Sequence, residues 1–136
     1  MKKIIFSILL VISSLFSAEV ETKINWIHDY DKALELAKKY DKNVYLYISA
    51  DTCRLCKKFK KTTLSRRCVK ARLNSDFIPL NLSRDRHSIP DKFEKFGAPR
   101  HYFLNPEGKI LHEINGVFKS DSFLGILDDI EMYQED

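Results

Sequence analysis

The residues with the clearest chemical potential in this sequence are two cysteines separated by two residues. Cys53 and Cys56 bracket Arg54 and Leu55 at the start of a helical pattern that follows a strand-like segment. A cysteine in the first turn of a helix faces unpaired backbone N–H groups and the positive end of the helix dipole, and both favour its thiolate. We therefore expect Cys53 to attack disulfides, with Arg54 supporting its thiolate, and Cys56, as the more buried sulfur, to resolve the mixed disulfide.

Two other uses of the cysteines remain open. One is a static disulfide, although a bond that closes so short a loop constrains the unfolded chain only weakly. The other is a metal site, which neither a second CxxC motif nor a paired histidine spacing supports. The ligands of such a site would be Cys53, Cys56, Cys68 and one of His87, His101 or His112.

The remaining candidate residues have less specific patterns. Cys68 is expected to be a small buried residue on a helix beside Leu64 and Leu73, rather than a third redox partner. We expect the histidines at the surface or in strands. Trp26 and the tyrosine-rich strand are expected in the core.

The elements that must position the cysteines alternate between strands and helices. This alternation predicts an α/β fold with one mixed central sheet flanked by helices. Pro79 suits an edge strand or a strand start, because it cannot donate to a ladder. Residues 105–108 carry a hairpin signal. The predicted strands are 24–27, 44–48, 77–82, 102–104 and 110–114, and the predicted helices begin near residues 29–31, 53, 65, 90 and 120.

The N-terminal segment has the three-part layout of a secretory signal peptide. Two lysines precede an apolar run over 4–16, and Ser17 and Ala18 follow. The run is shorter than the roughly 20 residues that a membrane-spanning helix needs. We expect residues 1–18 to be removed and the protein to be periplasmic or secreted, where disulfides persist. An uncleaved membrane anchor is the alternative, because Phe16 is not the small residue usual at that place in a cleavage site.

Length and composition limit the class of protein. The chain has 136 residues, of which 44% are hydrophobic and 31% charged, as in a single globular domain. Its three cysteines are too few for a small domain stapled by disulfides. Residues 19–136 contain 21 Lys and Arg against 19 Asp and Glu, and this net charge of +2 gives no general argument for nucleic-acid binding.

The basic residues are unevenly distributed. Nine of them, and no acidic residue, lie between Thr52 and Ser75, which leaves a net charge of −7 on the rest of 19–136. A solvated helix face is the usual explanation. Because the cluster surrounds Cys53, it could also steer acidic partners and support the thiolate. The cluster consists of Arg54, Lys57, Lys58, Lys60, Lys61, Arg66, Arg67, Lys70 and Arg72.

Taken together, these motifs resemble the thioredoxin superfamily. Within that superfamily, the sequence resembles more closely the exported thioredoxin-like proteins related to the C-terminal reductase domain of DsbD-type thiol:disulfide interchange proteins. The likeness lies in residues 43–59, where CxxC follows a strand, and in residues 96–104, where Gly97-Ala98-Pro99 precedes another. Gly116 also fits. The resemblance implies a thioredoxin-like domain over 19–136.

The resemblance also implies an activity and its partners. It implies a thiol:disulfide oxidoreductase that reduces protein disulfides and needs no cofactor. Ala98 and Pro99 would form the substrate-docking edge, joined by a cis peptide bond beside the disulfide. The implied partners are protein thiols and disulfides, with an upstream membrane or periplasmic electron donor and no nucleic acid. The alternative is a thioredoxin-fold binding protein whose cysteines hold a metal or a structural disulfide.

Three positions depart from the family pattern. Thr52 stands where a Trp usually precedes the first cysteine, and Arg54-Leu55 replace Gly-Pro between the cysteines. Tyr47 stands where many thioredoxins carry a buried carboxylate. That carboxylate assists proton transfer at the resolving cysteine, so water or another group must serve here.

Overall fold

The computed structural model describes residues 23–132, so the predicted signal peptide lies outside the described part of the chain. No helix within residues 23–132 is both long and apolar enough to cross a lipid bilayer. The elements are α1 (Tyr30–Tyr40), β1 (Asn43–Ser49), α2 (Arg54–Phe59), α3 (Arg67–Asp76), β2 (Phe77–Ser83), β3 (Arg100–Leu104), β4 (Ile110–Asn115) and α4 (Ser120–Met132). A π-helical turn, Lys60–Leu64, directly continues α2.

The four strands form one mixed sheet in the order β2-β1-β3-β4. β1 pairs parallel with β2 and antiparallel with β3, and β3 pairs antiparallel with β4. β1 therefore has a neighbour on both sides, and its residues from Asn43 to Ile48 are all buried. The predicted α/β fold with one mixed sheet is confirmed, as is the hairpin that joins β3 to β4.

The alternation of side chains along β1 divides the core into two clusters. Val44, Leu46 and Ile48 point to one face and pack with α1 through Ala33 and Ala37. We call this cluster the aliphatic core. Tyr45 and Tyr47 point to the other face, which we call the aromatic core. Its members from the helices are Phe59, Leu64, Val69, Leu73, Phe123, Leu127 and Ile130.

The predicted first strand over 24–27 is wrong in extent. Only Ile27 pairs with the sheet, through an isolated bridge to Leu80 at the outer edge of β2. Its N–H donates to Pro79 O at 2.8 Å, and Asn81 N–H donates to Ile27 O at 2.9 Å. Pro79 thus lies in an edge strand, as predicted, where its missing N–H interrupts no bond with β1.

The predicted short helix over 90–96 is also wrong, because side chains satisfy the backbone of this segment. Phe93 is buried in the aliphatic core. The Tyr102 hydroxyl accepts from Glu94 N–H at 3.0 Å and lies 3.2 Å from Glu94 O, to which it donates. The Glu94 carboxylate accepts from Phe96 N–H at 2.9 Å. These contacts hold a chain of turns that leads into β3.

The predicted burial of Cys68 is wrong as well. Cys68 is a free, exposed thiol on α3. Val69 and Leu73, one helical turn apart, carry the buried side of that helix. Cys68 precedes Val69 by one residue, which turns its side chain away from the core.

Candidate redox site

The loop between β1 and α2 is fastened to the end of the neighbouring strand β2. Asp51 N–H donates to the Asp85 carboxylate at 2.6 Å, and the Asp51 carboxylate accepts from Ser83 Oγ at 3.2 Å. Arg86 Nε lies 3.0 Å from the same Asp51 carboxylate. Since Asp51 stands two residues before Cys53, these bonds fix where the helix that carries the cysteines begins.

Cys53 is the N-cap of α2, and its sulfur is bonded to that of Cys56. The Cys53 Sγ accepts the N–H of Cys56 at 3.0 Å, which satisfies one of the free donors of the first turn. Cys56 is buried, with 6% of its surface exposed, whereas Cys53 is half-buried. The predicted difference in burial between the two sulfurs is confirmed.

Ala98 and Pro99 lie beside Cys53. The Ala98–Pro99 peptide bond is cis, as the resemblance implied. The Ala98 carbonyl oxygen lies 3.6 Å from Cys53 Sγ, a van der Waals contact because a disulfide sulfur carries no proton to donate. The structure therefore brings four of the predicted site residues together: Cys53, Cys56, Ala98 and Pro99.

His101, which the sequence analysis considered only as a possible metal ligand or a strand residue, is linked by hydrogen bonds to this part of the site. His101 is fully buried, and its Nε2 lies 2.8 Å from Gly116 O. A carbonyl can only accept, so Nε2 carries the proton and Nδ1 accepts from the Tyr45 hydroxyl at 2.7 Å. Gly116 N–H in turn donates to Pro99 O at 2.9 Å. This chain of bonds links β1, β3 and the loop before α4 to the residue beside the disulfide.

His101 is held neutral by this environment. Burial lowers the pKa of His101 to about 4, although its hydrogen bond to Gly116 acts in the opposite direction. The Phe59 ring lies edge-on to the imidazole, with 4.8 Å between ring centroids. The sequence feature that could have indicated the burial of His101 is the alternation of side chains along β3, which places His101 on the same face as the buried Phe103.

Tyr47 stands at the sequence position where the resemblance leads one to expect a buried carboxylate. Burial raises the pKa of Tyr47 to about 12, so its hydroxyl stays protonated at neutral pH. Tyr47 and Cys56 both border a cavity of about 360 Å³ that opens to the surface. Trp26 borders it too and is only half-buried, so its predicted place in the core holds only in part.

The remaining predicted residues lie at the surface. Arg54 is the first residue of α2 and is exposed. His112 is exposed on β4, and His87 stacks on His28 with 5.1 Å between ring centroids. Within residues 23–132, no three His, Cys, Asp or Glu side chains are grouped so that they could hold a metal ion.

Known structures share this architecture. A thioredoxin from Thermus thermophilus is 22% identical, with a TM-score of 0.65 over 79% of this chain and 87% of that one. The DsbH oxidoreductase is 19% identical, with a TM-score of 0.63 over 79% of this chain and 83% of that one. The oxidised C-terminal domain of Neisseria meningitidis DsbD is 21% identical, with a TM-score of 0.56 over 77% and 90% of the two chains. At these identities the likeness shows the fold.

The sequence comparisons define the family. A search of individually curated proteins finds no match. Residues 25–106, from the segment before α1 to the hairpin after β3, match the family described as thioredoxin-like. This stretch contains both the CxxC motif and the cis Ala98–Pro99 bond beside it. With the mixed sheet and the paired cysteines, the match establishes that the chain belongs to the thioredoxin-like family, within the thioredoxin superfamily.

Proposed function

We propose that this protein is an exported thiol:disulfide oxidoreductase that reduces disulfides of protein substrates through Cys53 and Cys56. The observation that carries the proposal is the position of Cys53: it caps the helix, accepts the Cys56 N–H at 3.0 Å and lies 3.6 Å from Ala98 O. The backbone donor and the helix end that face this sulfur would stabilise a thiolate in the reduced protein.

The reaction proceeds through two exchanges. The Cys53 thiolate attacks one sulfur of the substrate disulfide, which forms a mixed disulfide and releases the other substrate sulfur as a thiolate. The Cys56 thiol then loses its proton and attacks Cys53 Sγ. This step closes the Cys53–Cys56 bond and releases the second substrate sulfur. Two electrons pass from the protein dithiol to the substrate, whose thiolates take up two protons.

The proton of Cys56 needs an acceptor, and Tyr47 cannot be one while its hydroxyl stays protonated. The cavity beside Cys56 is open to solvent and is large enough to hold water. Solvent in this cavity takes the proton in our account. Ala98 and Pro99 would hold the substrate backbone next to Cys53. Protein thiols and disulfides are therefore the proposed partners, and an electron donor must return the oxidised protein to its dithiol form.

Export to the periplasm or exterior is part of the proposal. It rests on the signal-peptide layout of residues 1–18 and on the persistence of disulfides in oxidising compartments.

Trapping of substrates tests the roles of the two cysteines. Cys56→Ser should accumulate mixed disulfides on Cys53, because the resolving thiol is missing. Cys53→Ser is the matched control and should form none. Non-reducing gels followed by mass spectrometry of the trapped cysteine measure both. Complexes that form on Cys56 in Cys53→Ser, and not on Cys53 in Cys56→Ser, would contradict the assignment.

A further inference from the structure

A groove lined by lysines lies next to the cavity that Cys56 borders. It has a volume of about 660 Å³ and runs between the first described residues and the helical segment 54–65. We call it the lysine groove. Five lysines line it: Lys23, Lys57, Lys60, Lys61 and Lys70.

The floor of the lysine groove is apolar and well supported. Ile24, Trp26 and Leu64 form it, and all three belong to or pack on the aromatic core. The Trp26 ring packs against Tyr45 and Tyr47, with ring centroids 6.1 and 5.9 Å away. Because these tyrosines lie in the central strand, the floor is a preformed surface.

Three of the lysines on the walls keep a charge that no ion pair within residues 23–132 neutralises. They are Lys57, Lys60 and Lys61, and no acidic residue borders the groove in the described chain. Arg72, from the same basic stretch, differs, since it pairs with Asp76 on its own helix at 2.7 Å and with two acids of α4. Like charges held together in this way attract an anion and bind it more strongly than a dispersed set would.

The groove leads to the resolving cysteine. Trp26, Lys57, Lys60 and Leu64 border both the lysine groove and the cavity of about 360 Å³ beside Cys56. A ligand seated in the groove would therefore lie close to the redox pair, and neither Ala98 nor Pro99 is among the residues that line the groove.

Two kinds of anionic surface fit the groove poorly. A membrane-binding surface usually presents protruding apolar side chains, and here the apolar residues form a recessed floor. The exposed large hydrophobic residues of the described chain all lie elsewhere: Tyr40, Leu55, Phe96, Leu111 and Met132. A long nucleic acid would run beyond the groove onto a chain whose remaining charge over 19–136 is −7. A short acidic ligand meets neither difficulty.

We propose that the lysine groove binds an acidic segment of a protein partner that also carries an apolar side chain, and so docks that partner beside Cys53–Cys56. The carboxylates meet the lysines, and the apolar side chain packs on Trp26. Binding follows from the groove alone, whereas its use in disulfide exchange rests on the proposed function.

Trp26 provides a direct readout, because it is the only tryptophan in the chain. The probe is a synthetic peptide of glutamates around one leucine. It should change the Trp26 emission and bind more weakly as salt is added. Replacing its leucine by glycine should weaken binding several-fold. An unchanged emission at saturating peptide would overturn the proposal.

A charge-matched pair of variants tests where the peptide binds. Lys57→Gln, Lys60→Gln and Lys61→Gln together should weaken binding about tenfold, since three surface ion pairs are lost. The control replaces three exposed lysines elsewhere, Lys38, Lys39 and Lys109, by Gln. It should change binding less than about twofold, because long-range charge contributes little once screened. Equal losses in the two triple variants would show non-specific attraction and overturn the proposal.

Two other ligands of the lysine groove, the chain's own glutamates and a lipid membrane, would give different results in these experiments. If the chain's own Glu19 and Glu21, just before Lys23, fill the groove, then replacing both by Gln should tighten peptide binding, which would overturn docking of a partner. Vesicles of phosphatidylglycerol that shift the Trp26 emission where the peptide does not would assign the groove to a membrane instead. Either result contradicts the proposal as stated.

The failure of docking can be told from the failure of the proposed function. The peptide should bind equally well to protein in which Cys53 and Cys56 are both replaced by Ser, because neither sulfur contributes to the groove's charge. Exchange of the intact pair with glutathione is measured separately. Binding without exchange would reject the redox function alone, and exchange without binding would reject the groove alone.

Discussion

The two faces of the central sheet are built from different chemistry, although the same strands supply both. On one face, Val44, Leu46 and Ile48 pack with the alanines of α1 in a cluster whose members carry almost no polar side-chain atoms. On the other, Tyr45 and Tyr47 surround the fully buried His101, whose hydrogen bonds reach the Pro99 loop. The aliphatic core stabilises the fold, and the aromatic core also fixes the parts of the redox site relative to one another.

Cavity variants on the two faces should separate stability from redox behaviour. Leu46→Ala should lower the free energy of unfolding by about 2–5 kcal/mol, because Leu46 is fully buried in the aliphatic core. Its reduction potential should stay within a few millivolts of wild type. Phe59→Ala should cost about 3–5 kcal/mol and also shift the potential, since Phe59 joins α2 to His101.

Urea unfolding and glutathione equilibration of folded protein measure the two quantities for both variants. If Leu46→Ala shifts the potential as much as Phe59→Ala does, the division of roles between the faces is wrong.

The pH dependence of stability should reveal the buried imidazole of the aromatic core. The pKa of His101 is lowered from 6.5 to about 4 in the folded protein, mainly by burial. Above pH 6.5 the imidazole is neutral in both states, and its contribution to stability is fully present. Below pH 6.5 the unfolded chain binds a proton that the folded protein rejects, so stability falls by on the order of 3 kcal/mol towards pH 4.

The test compares the free energy of unfolding in urea of wild type with that of His101→Gln across this pH range. The difference is needed because the pKa of His87 is also lowered, by burial and by its neighbours His28 and Arg86, and contributes with the same sign. In His112→Gln, at an exposed position of β4, the free energy of unfolding should change with pH as steeply as in wild type. A slope that is the same in wild type and His101→Gln would show that His101 is not held neutral.

The smallest effect is expected from a surface charge beside Cys53. Arg54 would stabilise the thiolate, which exists only in the reduced protein, so Arg54→Ala should make the reduction potential more negative. An exposed charge near a helix end contributes about 0.3–1 kcal/mol, which corresponds to roughly 5–20 mV for a two-electron couple. The shift should shrink with added salt. Lys38→Ala, on the helix that covers the aliphatic core, should cause no shift, and equal potentials for the two variants would assign Arg54 no such role.

What the sequence could predict depended on whether the interactions are local. The cysteine spacing, the helix that follows β1 and the hairpin over 105–108 are short-range patterns, and the structure confirms them. The contact between Ala98 and Cys53 spans 45 residues and was expected only from the family resemblance. The bonds of His101 depend on Tyr45, 56 residues away, and no local pattern reports such a partner.

The wrong predictions have the same origin. The helix expected over 90–96 does not form, and the backbone of Glu94 bonds instead to the hydroxyl of Tyr102, a residue of β3. The exposure of Cys68 follows from which side of α3 faces the sheet, and Val69 and Leu73 decide that orientation through contacts with distant elements. Tertiary contacts override local preference at both places.

The most direct test of the redox function is the equilibrium of the Cys53–Cys56 pair with glutathione. Thiols are counted by alkylation and mass spectrometry over a range of reduced-to-oxidised ratios, in protein that also carries Cys68→Ser so that the exposed third thiol does not interfere. We predict one reversible two-electron transition in folded protein. A bond that stays closed until the protein unfolds, or a reduced pair that retains a stoichiometric metal ion, would contradict the proposed function.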